Sequence, residues 1–153
     1  MIYLGTDHVG FEFKEKLKGY LTELGYQVED CGNFVYDKDD DYPDFILPVA
    51  RAVARDPERS RGIILGGSGQ GEAMVANRVR GVRAAVYYGL AKDPPSQGVA
   101  IIRLSREHND ANILSLGVKF LTEEEIKQVV KLWLETKFSN EERHKRRIKK
   151  IDL

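Results

Sequence analysis

Short apolar runs alternate along this chain with longer segments of helical periodicity. The runs IYLG, YQVEDCG, GIILGG, VRAAVYY and NILSLG have the length and composition of strands that are buried in a sheet. The segments between them repeat apolar residues every three or four positions, as the crossover helices of a parallel sheet do. The pattern therefore predicts an α/β fold with five strands in a parallel sheet.

Start signals mark several of the predicted helices. YPDFILPVARAVAR carries Pro43 in its first turn, and GEAMVANRV follows the third strand directly. Thr122 and Glu125 have capping-box spacing at the start of TEEEIKQVVKLWLETKF, and Ser139 and Glu142 repeat that spacing before RHKRRIKKI. Two helices are thus expected to close the chain. Between the fourth and fifth strands, GLAKDPPSQGVAIIRLSREHNDA predicts a loop followed by a short helix.

Composition and charge narrow the class of protein. The 153 residues suit one domain, and 24 Lys and Arg balance 24 Asp and Glu, so the overall charge attracts neither nucleic acid nor an anionic membrane. The single cysteine, Cys31, cannot form an intramolecular disulfide, and we expect it to be a small core residue of the second strand. The N-terminus lacks the pattern of a signal peptide, and no window approaches the roughly 20 apolar residues of a membrane span. We expect one cytoplasmic domain over residues 1–153.

The stretch GGSGQGE, residues 66–72, joins the third strand to the next helix. Glycines in that context let the backbone approach a ligand, and free N–H groups favour an anion. Two phosphate-binding motifs fail at Glu72, because the dinucleotide fingerprint needs a third glycine there and the P-loop needs a lysine. A tight strand-to-helix turn without a ligand is the alternative interpretation.

A carboxylate beside a loop of N–H donors suits the removal of a proton from the carbon next to a carbonyl group. The base takes the C–H proton, and the donors stabilise the oxyanion of the resulting enediolate. Ser68 can offer a hydroxyl, but this group needs help to act as a base at neutral pH. We therefore predict that Glu72 is the base.

Further polar residues stand where strands end or begin. Asp7 and His8 follow the first strand, at the edge of a parallel sheet where ligands bind, so they are expected beside the glycine loop. The alternatives are a helix N-cap for Asp7 and a surface position for His8. His108 and Asn109 precede the fifth strand as a potential proton donor and an amide donor, although a lone histidine is more often structural. All three histidines of the chain lie in polar clusters, which favours a functional role.

Charged clusters near the C-terminus and before the second helix each have a functional interpretation and an alternative. Arg143 and Arg147 are four residues apart, hence on one helix face, and could bind a phosphate as a pair; a solvated basic helix end is the alternative. RHKRRIKK lacks the interleaved aromatic residues of a nucleic-acid site. DKDDDYPD lacks the glycine and final glutamate of a calcium loop, so it predicts a hydrated loop and no metal site.

Four segments of the chain carry a family resemblance. GTDHVGFEFKEKL, DYPDF, GGSGQGEAMVANRVRGVRAA and SREHNDANILSLG resemble, in order and spacing, the type B ribose-5-phosphate isomerases and the related galactose-6-phosphate isomerase subunits. The resemblance covers nearly the whole chain. It implies a Rossmann-like, three-layer α/β/α sandwich with a five-stranded parallel sheet and C-terminal helices. It also implies a homodimer, or a dimer of dimers, whose active sites are shared between subunits.

The resemblance also implies roles for individual residues. Many members carry a catalytic cysteine in the glycine loop, where this chain has Ser68, and Glu72 then replaces the cysteine as base. His108 is implied in opening the sugar ring, and Lys119 stands where many members have an arginine. The implied substrate-binding residues are Asp7, His8, Gly67, Gly69, Gln70, Gly71, Asn109, Lys119, Arg143 and Arg147, with the last two on the phosphate.

We expect an aldose–ketose isomerase that acts on a sugar phosphate, interconverting ribose 5-phosphate and ribulose 5-phosphate without a metal or organic cofactor. A six-carbon aldose phosphate is the alternative substrate, because YYGLAKDPPSQGVAIIRL is longer than the usual segment before Arg106. A non-catalytic module that binds a sugar phosphate or nucleotide is the alternative from another class. The joint presence of Glu72, Ser68 and His108 favours the enzyme, because a binding module does not require them.

Overall fold

The computed structural model describes residues 1–89 and 96–151, and within these ranges it contains five strands and six α-helices. The strands are β1 (Ile2–Thr6), β2 (Val28–Asp30), β3 (Arg61–Gly66), β4 (Ala84–Tyr87) and β5 (Ile113–Gly117). The helices are α1 (Phe11–Glu23), α2 (Tyr42–Arg55), α3 (Gln70–Ala76), α4 (Ser96–Glu107), α5 (Glu123–Glu135) and α6 (Glu142–Ile148).

The five strands form one sheet in the order β2-β1-β3-β5-β4, and every pair is parallel. β2 lies on one side of β1 while β3 lies on the other, so the chain changes direction between β1 and β3. Such a switch point opens a crevice at the carboxyl ends of the two strands, and this is where α/β proteins bind ligands. The predicted α/β class is confirmed.

Helices form the two outer layers of the sandwich and cover both faces of the sheet with apolar residues. On one face, α1, α4 and α5 pack their buried side chains against the strands; these include Leu17, Leu21, Ile102, Ile126, Val130 and Trp133. On the other face, α2 and α3 contribute Ile46, Val49, Ala50, Val53 and Ala76. α1, α2 and α5 bury residues at the three- and four-residue spacing that is typical of a helix packed on a sheet.

Some predicted boundaries are wrong. β2 has three residues and ends at Asp30, whose two carboxylate oxygens lie 2.6 and 2.7 Å from Nζ of the buried Lys14. Cys31 therefore follows the strand in a half-buried position, where burial raises the pKa of its thiol to about 11. The thiol stays protonated at neutral pH.

The two capping boxes have different outcomes. Thr122 and Glu125 form both reciprocal hydrogen bonds at the start of α5, as predicted. The capping box predicted at Ser139 and Glu142 is wrong, because α6 begins after Glu141 and has no side-chain cap. The Ser139 hydroxyl lies instead 2.7 Å from Nδ1 of His144.

The segment between β4 and β5 contains a longer helix than predicted. α4 has 12 residues, Ser96–Glu107, where the sequence indicated a short helix. The first part of the predicted loop, residues 90–95, lies outside the described residues.

Candidate active site

The carboxyl ends of three adjacent strands bring together much of the predicted site. Asp7 and His8 follow β1, residues 67–72 follow β3, and Lys119 follows β5. Thr6 is paired with Leu65 across β1 and β3, and Gly66 with Gly117 across β3 and β5, so the three chain segments leave the sheet at the same level. We call this region the carboxyl-end site.

Glu72 lies directly against the backbone of the last residue of β3. A Cβ atom at Gly66 would stand 1.8 Å from Oε1 of Glu72 and 2.0 Å from its Cδ, so only glycine leaves room for the carboxylate in this position. Glu72 is 5% exposed. The strand end thus holds the carboxylate in a defined, nearly dry position.

Electrostatics raise the pKa of Glu72 above its ordinary value. Burial makes the largest contribution, the hydrogen bond from the Glu72 backbone N–H opposes it, and the charge of Asp7 adds to it. Among the described residues, Glu72 has no ion-pair partner. A carboxylate with these properties takes up a proton more readily than an exposed one, as a general base requires.

The glycine loop is tightly folded between β3 and α3. Gly69 precedes α3 with φ of +76°, a conformation that favours glycine, and its carbonyl accepts a hydrogen bond of 2.6 Å from the Ser115 hydroxyl of β5. The Ser68 hydroxyl accepts a hydrogen bond of 3.3 Å from the Gln70 N–H, so it shapes the loop. The first helical hydrogen bond runs from Ala73 to the Gly69 carbonyl, which leaves the earlier N–H groups without helical partners.

Asp7 and His8 form a second part of the carboxyl-end site. Asp7 caps a short 3-10 turn by accepting a hydrogen bond of 3.0 Å from the Val9 N–H, as its N-cap interpretation predicts. Burial raises the pKa of Asp7. His8 is held by Asp40, whose Oδ1 lies 2.6 Å from His8 Nδ1 and 3.0 Å from its backbone N.

Sequence reasoning missed Asp40 and Tyr42. The acidic segment was predicted to be a hydrated loop, which is wrong for Asp40, because its side chain is only 7% exposed. Tyr42 packs its ring on the glycine loop, where a Cβ atom at Gly71 would lie 2.9 Å from its Cζ and hydroxyl oxygen. The DYPDF segment signalled Tyr42, whereas no local pattern links Asp40 to a histidine 32 residues away.

Lys119 borders the loop from the β5 side. Its N–H donates a hydrogen bond of 3.2 Å to the Gly67 carbonyl, and its side chain passes the α-carbon of Gly67, with Cε 3.4 Å from the place of a Cβ atom. The Lys119 side chain has no carboxylate partner within residues 1–89 and 96–151. A cation beside the loop adds attraction for an anionic ligand.

The structure does not bring His108 and Asn109 to Glu72. They follow α4 and precede β5, so they lie at the amino ends of the strands, where the Asn109 carbonyl accepts a hydrogen bond of 2.9 Å from Arg83 Nε. The carboxyl end of β5 is four residue steps away from its first residue, Ile113, a distance of about 13 Å. Within one chain, the predicted acid His108 and the predicted base Glu72 therefore lie at opposite ends of the strands.

α6 lies beside His108 and carries the predicted phosphate ligands. The ring of His144 packs on that of His108 with centroids 4.3 Å apart. His144 is 2% exposed although the segment RHKRRIKK is polar; burial and the neighbouring His108 lower the pKa of His144. Arg143 and Arg147 are both exposed, and Arg143 pairs with Glu141 at 2.7 Å.

A buried ionic cluster supports the same end of the sheet. Asp110 accepts hydrogen bonds of 2.7 Å from Arg106 Nη1 and 3.0 Å from Arg83 Nη2, one on each carboxylate oxygen. Its φ of 45° lies in the left-handed region, which asparagine and aspartate tolerate better than most residues. The cluster fixes the turn that carries His108 and Asn109.

Known proteins share both the sequence and the fold of this chain. Residues 2–151 match the model of the Ribose/Galactose Isomerase family. A ribose-5-phosphate isomerase B of Mycolicibacterium paratuberculosis is 42% identical over 147 residues, which cover 96% of this chain and 86% of that protein.

Two crystal structures of similar proteins give the same result. The ribose-5-phosphate isomerase B of Mycoplasma genitalium, solved with bound ribulose 5-phosphate, has a TM-score of 0.89 and 35% identity, covering 98% of this chain and 92% of its own. The ribose 5-phosphate isomerase of Thermotoga maritima has a TM-score of 0.85 and 38% identity, covering 99% of this chain and 96% of its own.

Proposed function

This chain belongs to the ribose/galactose isomerase family, and from that premise we propose that its carboxyl-end site interconverts ribose 5-phosphate and ribulose 5-phosphate with Glu72 as the base. The protein is an aldose–ketose isomerase. The observation that carries the assignment of the base is the carboxylate of Glu72, buried against Gly66 with a raised pKa and without a cation partner in the described chain.

In the proposed reaction, Glu72 removes the proton from C2 of the open-chain aldose. Electrons from the C–H bond form the C1–C2 double bond, and the C1 carbonyl oxygen becomes the enediolate oxyanion. The N–H groups of the glycine loop stabilise this charge. Glu72 then returns the proton to C1 while the proton of the C2 hydroxyl passes to the C1 oxyanion, which leaves a hydroxyl group on C1 and the carbonyl group at C2 of the ketose.

The remaining predicted residues require a second chain in this proposal. His108 and Asn109 precede the amino end of β5, a strand about 13 Å long, so they are too far from its carboxyl end to contact a sugar carbon beside Glu72. We propose a homodimer in which His108 of the partner subunit assists ring opening and Asn109 of the partner subunit donates to the oxyanion. The partner subunit's Arg143 and Arg147 then bind the phosphate, which can reach both side chains because they are exposed.

Mixing two inactive variants tests the shared site. We expect Glu72→Gln and His108→Asn each to be inactive as pure proteins. If sites are shared, a mixed dimer holds one site with both wild-type residues, so random re-association restores about a quarter of the wild-type sites. If each chain holds its own complete site, mixing restores no activity. Sedimentation of the wild-type protein tests the dimer itself.

Proton exchange tests the enzyme class directly. The protein is incubated in heavy water with a panel that includes ribose 5-phosphate, ribose and six-carbon aldose phosphates, and deuterium entry is followed by NMR. We expect deuterium next to the carbonyl group of ribose 5-phosphate, even where net conversion is slow. Binding without exchange for every sugar phosphate would support the non-catalytic module instead.

The single-domain organisation and the cytoplasmic location stay predictions. Within residues 1–89 and 96–151, none of the helices has the length and apolar character needed to cross a bilayer. Fractionation of cells that express the protein tests the location, and a single cooperative unfolding transition tests the domain count.

A further inference from the structure

Asp40 links His8 to a buried framework that the proposed reaction does not use. One oxygen, Oδ1, is shared by the backbone N of His8 at 3.0 Å and its Nδ1 at 2.6 Å. The other oxygen, Oδ2, accepts a hydrogen bond of 2.7 Å from Nδ2 of Asn33. Both carboxylate oxygens of the nearly buried Asp40 therefore have hydrogen-bond partners, and Oδ1 orients the imidazole ring of His8.

The framework behind Asp40 is rigid. Asn33 is 2% exposed, and its carbonyl accepts a hydrogen bond of 2.8 Å from the Nζ of Lys14. Lys14 is 0% exposed and is bound in turn by both oxygens of Asp30. A chain of hydrogen bonds thus connects the end of β2 to the imidazole at the end of β1. A network in which both Asp40 oxygens and the Lys14 ammonium group are hydrogen-bonded in this way favours one side-chain arrangement.

We propose that Asp40 is a positioning residue for the isomerase: it fixes the His8 ring with Nδ1–H toward Asp40 and presents Nε2–H to an anionic oxygen of the substrate. The inference rests on the proposed function, in which His8 contacts the sugar phosphate. Within the described residues, Nε2 of His8 has no hydrogen-bond partner, while Nδ1 is engaged. The side chain of His8 is 28% exposed, so a ligand can reach it.

The surroundings of His8 also favour its charged form. The hydrogen bond to Asp40 is the main cause that raises the pKa of His8; burial opposes it, and the charges of Asp7, Asp40 and Asp37 add to it. The His8 ring also packs edge-to-face against the Tyr36 ring, with the two ring centroids 6.2 Å apart. No cation opposes the charge in this set. His8 therefore keeps its proton at a pH where an ordinary histidine has lost it, and it binds anions over a wider pH range.

Asp40→Asn tests this inference, with Asp39→Asn as its matched control. Both changes remove one negative charge from the same loop, but Asp39 is exposed, and among the described residues its carboxylate pairs with the neighbouring Lys38 alone. Asn33 can accommodate the new amide by rotating its own, since its Oδ1 has no partner among the described residues. Imidazole titration by NMR is tractable because the chain has three histidines, and a His8→Asn spectrum assigns the signal.

We expect the neutral His8 ring of the wild type to be the Nδ1–H tautomer in nitrogen-15 spectra, and we expect Asp40→Asn to lower the pKa of His8 because its amide carries no charge. Asp39→Asn should leave the pKa of His8 unchanged. An Nε2–H tautomer in the wild type, or a His8 pKa in Asp40→Asn equal to that of the wild type, would overturn the inference. These spectra need no turnover, so they decide the positioning role even if the proposed function fails.

Kinetics add a signature that a merely structural role does not produce. Below the ordinary pKa of histidine, both proteins carry a charged His8 and should have similar KM values for ribose 5-phosphate. Above the ordinary pKa of histidine, the KM of Asp40→Asn should be about tenfold higher than that of the wild type, the loss expected for one charge-assisted hydrogen bond, while kcat changes little. An equal increase of KM at both pH values would contradict the role, because it would indicate a general distortion of the loop.

Discussion

The two ends of the sheet each hold a largely buried carboxylate, in opposite electrostatic settings. Glu72 at the carboxyl ends has no ion-pair partner in the described chain, and burial raises its pKa. Asp110 at the amino ends gives one oxygen to Arg106 and the other to Arg83. The comparison separates a reactive acid from a structural one: the first is poised to exchange a proton, whereas the second fixes a turn.

The same two ends differ in what a ligand would find there. The carboxyl-end site offers a base, N–H donors and the imidazole of His8, all positioned by contacts within one chain. The amino end offers His108 and the exposed pair Arg143 and Arg147, which have the chemistry of an acid and a phosphate grip but no base. In our proposal each end supplies part of the isomerase site, and this complementarity favours the proposed dimer.

The largest expected effect comes from removing the base. Glu72→Gln keeps the shape of the side chain but cannot accept the proton, so kcat for ribose 5-phosphate should fall by about two to four orders of magnitude while binding survives. Initial rates and binding of the product measure the two quantities separately.

Ser68→Ala is the matched comparison in the same loop. The Ser68 hydroxyl only accepts a hydrogen bond from the Gln70 N–H, so its loss should reduce kcat less than Glu72→Gln does. An inactive Ser68 variant beside a Glu72→Gln variant that retains most activity would reverse the assignment of the two residues.

The next effect tests the position of Glu72 while leaving its chemistry intact. Gly66→Ala would place a Cβ atom 1.8 Å from Oε1 of Glu72, so the carboxylate must move. Because a displacement of about 1 Å can cost a hundredfold in rate, we expect kcat to fall by about that factor with the fold retained. Gly67→Ala, whose Cβ atom would meet Lys119 Cε at an ordinary 3.4 Å, should be affected less. Comparable losses in both variants would contradict the close packing of Glu72.

The sequence predicts the carboxyl-end site well because its geometry is local. Apolar runs give the strands, and the position of residues 66–72 after β3 gives the loop and Glu72. The pairing of His8 with Asp40 could not be predicted from a local sequence pattern, because it joins side chains 32 residues apart across a folded loop. The burial of His144 was missed for a similar reason: it depends on how α6 packs on the turn after α4, which residue polarity does not reveal.

The separation of the two half-sites could have been predicted. In a parallel sheet, a loop from a strand to a helix lies at the carboxyl ends, and a loop from a helix to a strand lies at the amino ends. His108 comes from the second kind of loop and Glu72 from the first. The order of elements alone therefore places them at opposite edges of the sheet.

The phosphate ligands at the amino end give the third expected effect. Replacing Arg143 or Arg147 with Gln should raise KM for ribose 5-phosphate by roughly 10- to 100-fold, the range for losing one charged hydrogen bond. KM for unphosphorylated ribose should stay nearly constant, because it lacks the charged group. Equal effects on both sugars would assign these arginines a structural role.

The smallest effects compare the two carboxylates by stability. Asp110→Asn keeps a residue that tolerates φ of 45° but leaves Arg83 and Arg106 without their carboxylate partner. We therefore expect the free energy of unfolding to fall by about 2 kcal/mol and Tm to fall by roughly 4–8 °C.

Glu72→Gln should change the free energy of unfolding in the opposite direction. The folded state raises the pKa of Glu72, so its ionised form is disfavoured above that pKa, and the penalty disappears as the pH falls through it. Removing the charge should therefore raise Tm at pH 7, and the gain should shrink as the pH falls toward the ordinary pKa of a glutamate. Thermal unfolding followed by circular dichroism at pH 7 and at acidic pH measures each change. If Glu72→Gln lowers Tm at pH 7 as Asp110→Asn does, then Glu72 is a stabilising residue like Asp110, and the contrast between the two ends of the sheet is wrong.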